Sequence, residues 1–192
     1  MDDPGYLTSF EEDGHWIVVE SPTQSLADLI QECKSHQKSV NEVTVWQCLK
    51  MLVQHLITEN LDASIHLSTN CIKLYGTNCY IDTVSSQDVN DQPVNAVYEA
   101  PEVLSNNNPD SRALVWSISC IVFEVLAQEP AFYDPTGTNP FSVYMNITNA
   151  VMPPVPADGS SELRDIVKLG LVHDREQRMS FEELKTMIES HY

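Results

Sequence analysis

Apolar residues recur along this chain in two rhythms, one of helices and one of short strands. Leu26, Leu29, Ile30 and Cys33 stand at i, i+3, i+4 and i+7, one face of a helix, with Ser25 ahead of them as N-cap. A longer stripe, Val45, Trp46, Leu49, Leu52, Val53 and Leu56, predicts a helix over Asn41 to Thr58. Arg112 to Ala127 is apolar almost all round, the pattern of a central buried helix. Three more helices are expected over Phe141 to Ala150, Ser161 to Leu171 and Ser180 to His191; the last opens on a capping box, Ser180 with Glu183. Strand signals are short: Trp16 to Glu20, ended by Ser21-Pro22, then Cys71 to Leu74 and Cys79 to Ile81 around the turn Gly76-Thr77-Asn78. Ser85 to Asn95 is polar without period and reads as loop, while Pro130 to Pro140 and Met152 to Pro156 read as rigid connections. The expected fold class is therefore mainly α, with about six helices and a few short β-strands.

Composition narrows what such a fold does. The 192 residues suit one domain, and 42% hydrophobic residues are enough for a core despite 28 acidic against 10 basic side chains. A net charge of -18 argues against direct binding of nucleic acid or anionic lipid, which need clustered Lys and Arg, and favours a basic partner. The acids are unevenly laid out: Met1 to Cys33 carries eight acids and no base, and Leu74 to Leu163 carries eleven acids and only Arg112. An acidic face results, serving either a partner or plain solubility. Five cysteines without a CxxC pair argue against disulfides and zinc and for buried free thiols. No apolar run reaches the length of a membrane span, and no signal-like segment opens the chain, so a cytoplasmic protein is expected.

Four stretches, in order, resemble the C-terminal lobe of eukaryotic protein kinases. Trp16 to Glu20 followed by Ser25 to Ile30 looks like the hinge strand and its helix. Val97-Tyr98-Glu99-Ala100-Pro101-Glu102 contains the APE motif that closes the activation segment. Val115-Trp116-Ser117-Ile118-Ser119-Cys120 looks like the central helix of that lobe, and Asp174 to Ser180 like its closing motif. The resemblance implies that Arg178 pairs with Glu102, a structural ion pair. It assigns residues 16–192 to the lobe, leaves 1–15 as an acidic lead-in, and leaves no room for an N-terminal lobe with its phosphate loop and lysine.

The resemblance also implies where the chemistry would sit. With Asn70 set on the catalytic loop's asparagine, Ala63, Ser64 and Ile65 stand at His-Arg-Asp; Asp82 stands at the Asp of DFG with Thr83 and Val84 after it, and Leu114 replaces the buried Asp of the central helix. Ile65 cannot accept a proton. Asn70 and Asp82 remain as a remnant metal pair, a feeble magnesium site without nucleotide phosphates, so no metal and no cofactor is expected. On this reading the chain is not an enzyme. It resembles the KIND module, a kinase C-lobe that binds proteins, and is expected to act as a non-catalytic scaffold. Glu20, Asp28, Glu32, Asp88 and Asp91 are its candidate acidic face for a basic protein segment. Two alternatives stay open: a pseudokinase that binds nucleotide or is completed in trans, and a lobe that packs on a partner subunit or a second copy of itself.

Overall fold

The computed structural model describes residues 7–12, 15–20, 24–60, 65–75, 78–82, 95–105, 107–133 and 141–191, with side chains from residue 24 onward apart from those at 75, 78 and 95. Two small sheets precede and interrupt the helices. β1 (Leu7–Glu12) pairs antiparallel with β2 (His15–Glu20), Leu7 opposite Glu20 and Glu12 opposite His15. The strand expected at Trp16 to Glu20 lies within β2, whereas β1 falls where only a lead-in was expected. The second sheet runs β3 (Gln24–Ser25), β4 (Ile72–Tyr75), β5 (Asn78–Ile81), all antiparallel, so the expected hairpin at 71–81 gains a short third strand.

Seven α-helices make up most of the other described residues. α1 (Leu26–Ser35) opens on a full capping box: Asp28 N donates to Ser25 Oγ at 3.1 Å, and Ser25 N donates to the Asp28 carboxylate at 2.8 Å. α2 (Glu42–Thr58) is capped by Asn41, whose side chain accepts from Val43 N, and buries the expected stripe from Val45 to Leu56. A 3-10 turn (Asn95–Tyr98) leads into the four-residue α3 (Pro101–Leu104), which is too short to show a period in the sequence. α4 (Ser111–Ala127) is the pillar of the molecule: every residue from Ala113 to Val125 is buried, as the all-round apolar pattern predicts. α5 (Ser142–Thr148), α6 (Ser161–Gly170) and α7 (Phe181–Ser190) follow, α7 opening on the expected Ser180–Glu183 box. The mainly helical class read from the sequence is the class observed.

The core forms where α4 meets α2, α6 and α7, with Trp46, Leu52, Trp116, Ile118, Leu163, Ile166 and Leu184 at its centre. α4 and α6 approach unusually closely because Gly170 lacks a side chain: a Cβ there would sit 1.8 Å from Ser119 Oγ. α6 has no side-chain cap of its own. Ser160 N, at its start, instead donates to Glu42 Oε1 at 2.5 Å, a carboxylate borrowed from the first turn of α2. The cysteines are all free; Cys48, Cys71, Cys79 and Cys120 are buried and Cys33 half-buried. No helix among the described residues is long and apolar enough to cross a membrane.

Candidate functional site

The segment Ile65 to Asn70 leads into β4 and lies against the 3-10 turn and α4. Between them sits a group of buried polar side chains. Tyr98 OH donates to Glu124 Oε2 at 2.5 Å and lies 3.0 Å from Thr69 Oγ1, which itself reaches the Glu124 carboxylate at 3.4 Å. Ser117 Oγ donates to the Tyr98 carbonyl at 2.8 Å, tying the turn to α4. The buried side chains of Thr69, Tyr98, Ser117 and Glu124 thus each have a partner, as a low-dielectric interior demands. At the edge of the group His66 Nδ1 is hydrogen-bonded to Glu99 Oε1; the Glu99 side chain is 11% exposed and that of His66 50%. Burial raises the pKa of Glu124 and, more strongly, of Tyr98, where the neighbouring Glu124 charge adds to the effect. Burial likewise raises Glu99, and the His66 bond opposes it.

The sequence reading missed this group. Its signal was present: Glu124 is the lone acid in a helix apolar on every side, and such a carboxylate needs buried donors. A carboxyl whose pKa rises on folding binds more protons folded than unfolded between its two pKa values. Stability therefore falls as pH climbs from the unfolded value of about 4.3 through the folded one. Glu124→Gln removes that loss, so the stability of the variant relative to the parent is expected to grow as pH rises above about 4.3. Urea unfolding of both proteins between pH 4 and pH 8 checks it, and parallel curves would contradict it.

The structure brings Glu102 and Arg178 together. Arg178 donates through Nη1 to Glu102 Oε1 at 2.6 Å and through Nη2 to Oε2 at 3.0 Å, a bidentate pair with the arginine side chain fully enclosed. Its remaining N–H groups reach backbone carbonyls: Nε to Val172 at 2.9 Å, Nη1 to Arg112 at 3.0 Å and Nη2 to His173 at 3.4 Å. The guanidinium also lies 4.9 Å from the centroid of the Trp116 ring, and that ring stacks on Phe132. One side chain therefore locks α3, the start of α4 and the loop before α7. A cleft of about 770 Å³ opens beyond it, lined by Arg112, Leu169, Met179 and Glu183 among others, and no residue of the 65–82 segment lines it.

The protein-kinase-domain family model matches residues 6–188, nearly the whole chain and β1 and β2 with it. The chain belongs to the protein kinase family. Similar relatives include the serine/threonine-protein kinase Nek10 of Homo sapiens, 34% identical over 93 residues, which are 48% of this chain and 8% of that protein. The serine/threonine-protein kinase PKH1 of Saccharomyces cerevisiae is 31% identical over 96 residues, 50% of this chain and 12% of that protein. The probable serine/threonine protein kinase IRE4 of Arabidopsis thaliana is 36% identical over 84 residues, 43% of this chain and 8% of that protein. The match spans about a tenth of the length of these kinases. The expectation that the chain is not an enzyme is overturned by these matches, since the family model and the serine/threonine kinase relatives point to a protein kinase. That expectation rested on the missing phosphate loop and lysine and on single positions counted from Asn70, Ile65 and the residues after Asp82 among them, whereas the family match is carried by the pattern of nearly the whole chain.

In this member of the kinase family the two remnant positions are brought to one end of the β4–β5 hairpin. Ile72 pairs with Ile81, and Asp82 N donates to the Cys71 carbonyl at 2.8 Å, so Asn70 and Asp82 flank the last bond of the ladder. Asn70 is exposed and Asp82 half-buried. The described residues contain no group of three or more His, Cys, Asp and Glu able to hold a metal ion. Ile65 is half-buried against the core and Leu114 is buried, while Ala63, Ser64, Thr83 and Val84 lie outside the described residues.

The candidate acidic face is seen in part. Glu32 is exposed on α1; Asp28 is exposed too, but its carboxylate accepts from Ser25 N and Oγ, and these bonds hold its pKa below the usual range. Asp28 is thus a helix cap. Glu20 closes β2 opposite Leu7, its side chain outside the described residues, and Asp88 and Asp91 lie outside them altogether.

Proposed function

We propose that this kinase lobe captures a Lys/Arg-rich protein segment on its acidic surface, and that this segment carries the Ser or Thr hydroxyl that accepts phosphate. The observation that carries the reading is the acidic surplus and its lack of internal relief. Of only ten Lys and Arg, Lys34, Arg112, Arg175, Arg178 and Lys185 are each already paired with an acid of the same chain. The surplus is left to attract a cation from outside, and opposite charges steer encounter as well as hold the complex. The KIND resemblance supports a basic segment as ligand, and the serine/threonine kinase relatives support its hydroxyl as phosphate acceptor.

The test is capture of two labelled serine-containing peptides by the full chain, one rich in Arg and Lys and one in which Gln replaces them. The basic peptide is expected to bind, and to lose about tenfold or more in affinity as salt rises from low to high ionic strength. Glu32→Lys is expected to weaken it further. Asp28 is unsuitable for reversal because its loss would fray α1. Equal binding of the two peptides, or binding indifferent to salt, would refute the reading.

A further inference from the structure

We infer that His66, held by Glu99, is the proton acceptor of this lobe, standing where the family has its catalytic aspartate. The family's loop reads His-Arg-Asp-Leu, three further residues, then Asn. Counting back from Asn70 puts Ile65 at the aspartate. Counting from the leucine gives another answer: Leu67 is buried at 2% exposure, and the residue before it is His66, in a loop one residue shorter. Packing favours the second count. Ile65 packs against the core, whereas the His66 side chain is half exposed between two inward-facing residues.

The hydrogen bonding suits the role. Glu99 is buried and its Oε1 meets Nδ1 of His66, so the carboxylate fixes the ring and directs the Nδ1 proton to itself. Nε2 is then the nitrogen left to accept a proton, the arrangement by which a carboxylate orients a histidine base. This rests on the reading that the bound segment is phosphorylated. In the step, the O–H bond of the Ser or Thr hydroxyl breaks and its proton passes to Nε2. The oxygen bonds to the terminal phosphorus of a nucleoside triphosphate, the bond from that phosphorus to the bridging oxygen breaks, and the nucleoside diphosphate leaves. The imidazolium formed stays paired with Glu99, which is a positioning residue.

Two measurements on the full chain decide it. In ¹⁵N spectra the neutral His66 ring is expected to carry its proton on Nδ1, and to lose that preference in Glu99→Gln. In a transfer assay with ATP, magnesium and the basic serine peptide, His66→Ala is expected to lower kcat on the order of 100-fold with little change in KM. Imidazole added to the buffer is expected to restore part of that loss, and His66→Asp to retain activity. His66→Gln, checked with His66→Ala for an unchanged melting curve, separates loss of the base from loss of the fold. Unchanged kcat in His66→Ala, a ring protonated on Nε2, a rise in kcat on Ile65→Asp, or no transfer by the parent chain would each overturn the assignment. Peptide capture by the parent chain keeps the two proposals apart: no transfer by the parent with capture intact removes the base assignment alone, and lost capture by the parent removes the recognition reading.

Discussion

Replacing Arg178 with alanine is expected to destabilise the fold by about 3 to 5 kcal/mol, because it leaves the Glu102 carboxylate buried without its partner. The geometry is what makes the figure large. Glu102 is 7% exposed and receives both arms of the guanidinium, so water cannot replace them without opening α3. The alanine also removes the donors to the carbonyls of Arg112, Val172 and His173 and the cation lying beside Trp116. Glu102→Gln leaves the guanidinium without a counter-charge, but Arg178 keeps its three backbone carbonyl acceptors and an amide oxygen at position 102, so this variant is expected to cost less than Arg178→Ala. The decisive quantity is the double variant, Arg178→Ala with Glu102→Gln, whose cost is expected to fall well short of the sum of the singles. Guanidinium unfolding of the four proteins measures it; additive singles of under about 1 kcal/mol would show a solvated surface pair instead.

A single added methyl is expected to do comparable harm at the α4–α6 contact. In Gly170→Ala the new Cβ would lie 1.8 Å from Ser119 Oγ and 2.8 Å from Ser119 Cβ, below any real contact distance. Ser119 has little freedom to yield, since its hydroxyl already donates to the Val115 carbonyl at 2.7 Å and reaches that of Ile166 at 3.2 Å. The helices must move apart, and overpacking of this kind costs about 1 to 3 kcal/mol. The loss is expected to exceed any gain from alanine's better helix propensity. Ser119→Gly in the same molecule leaves Val115 Cγ1 at 3.4 Å as the nearest remaining atom and is expected to restore most of the stability. If Gly170→Ala melts no lower than the parent chain, the contact is looser than the structure shows.

How far the sequence carried depends on what each feature leans on. α2 and α4 were legible because an apolar stripe or an all-round apolar surface is a property of consecutive residues. Glu102 and Arg178 were legible through their motifs. β3 and α3 were not, being two and four residues long, too short for any period. Nor was Asp28's engagement, since an aspartate three residues past a serine reads equally well as cap or as free surface charge. The Thr69–Tyr98–Glu124 group and the His66–Glu99 pair were hidden for a different reason. Their members lie 26 to 55 residues apart in sequence, and only the seating of the 65–70 segment and the 3-10 turn on α4 brings them together.

The borrowed carboxylate of Glu42 makes α6 and α7 unlike in kind. α7 carries its own start signal in Ser180 and Glu183, each accepting a hydrogen bond from the other's amide. α6 begins on an amide whose acceptor lies 118 residues earlier. The acceptor for its N-cap amide is thus supplied by α2. The start of α7 is completed by residues next to it in sequence and that of α6 by a residue of another helix, so a substitution at Glu42 in α2 is felt at the start of α6.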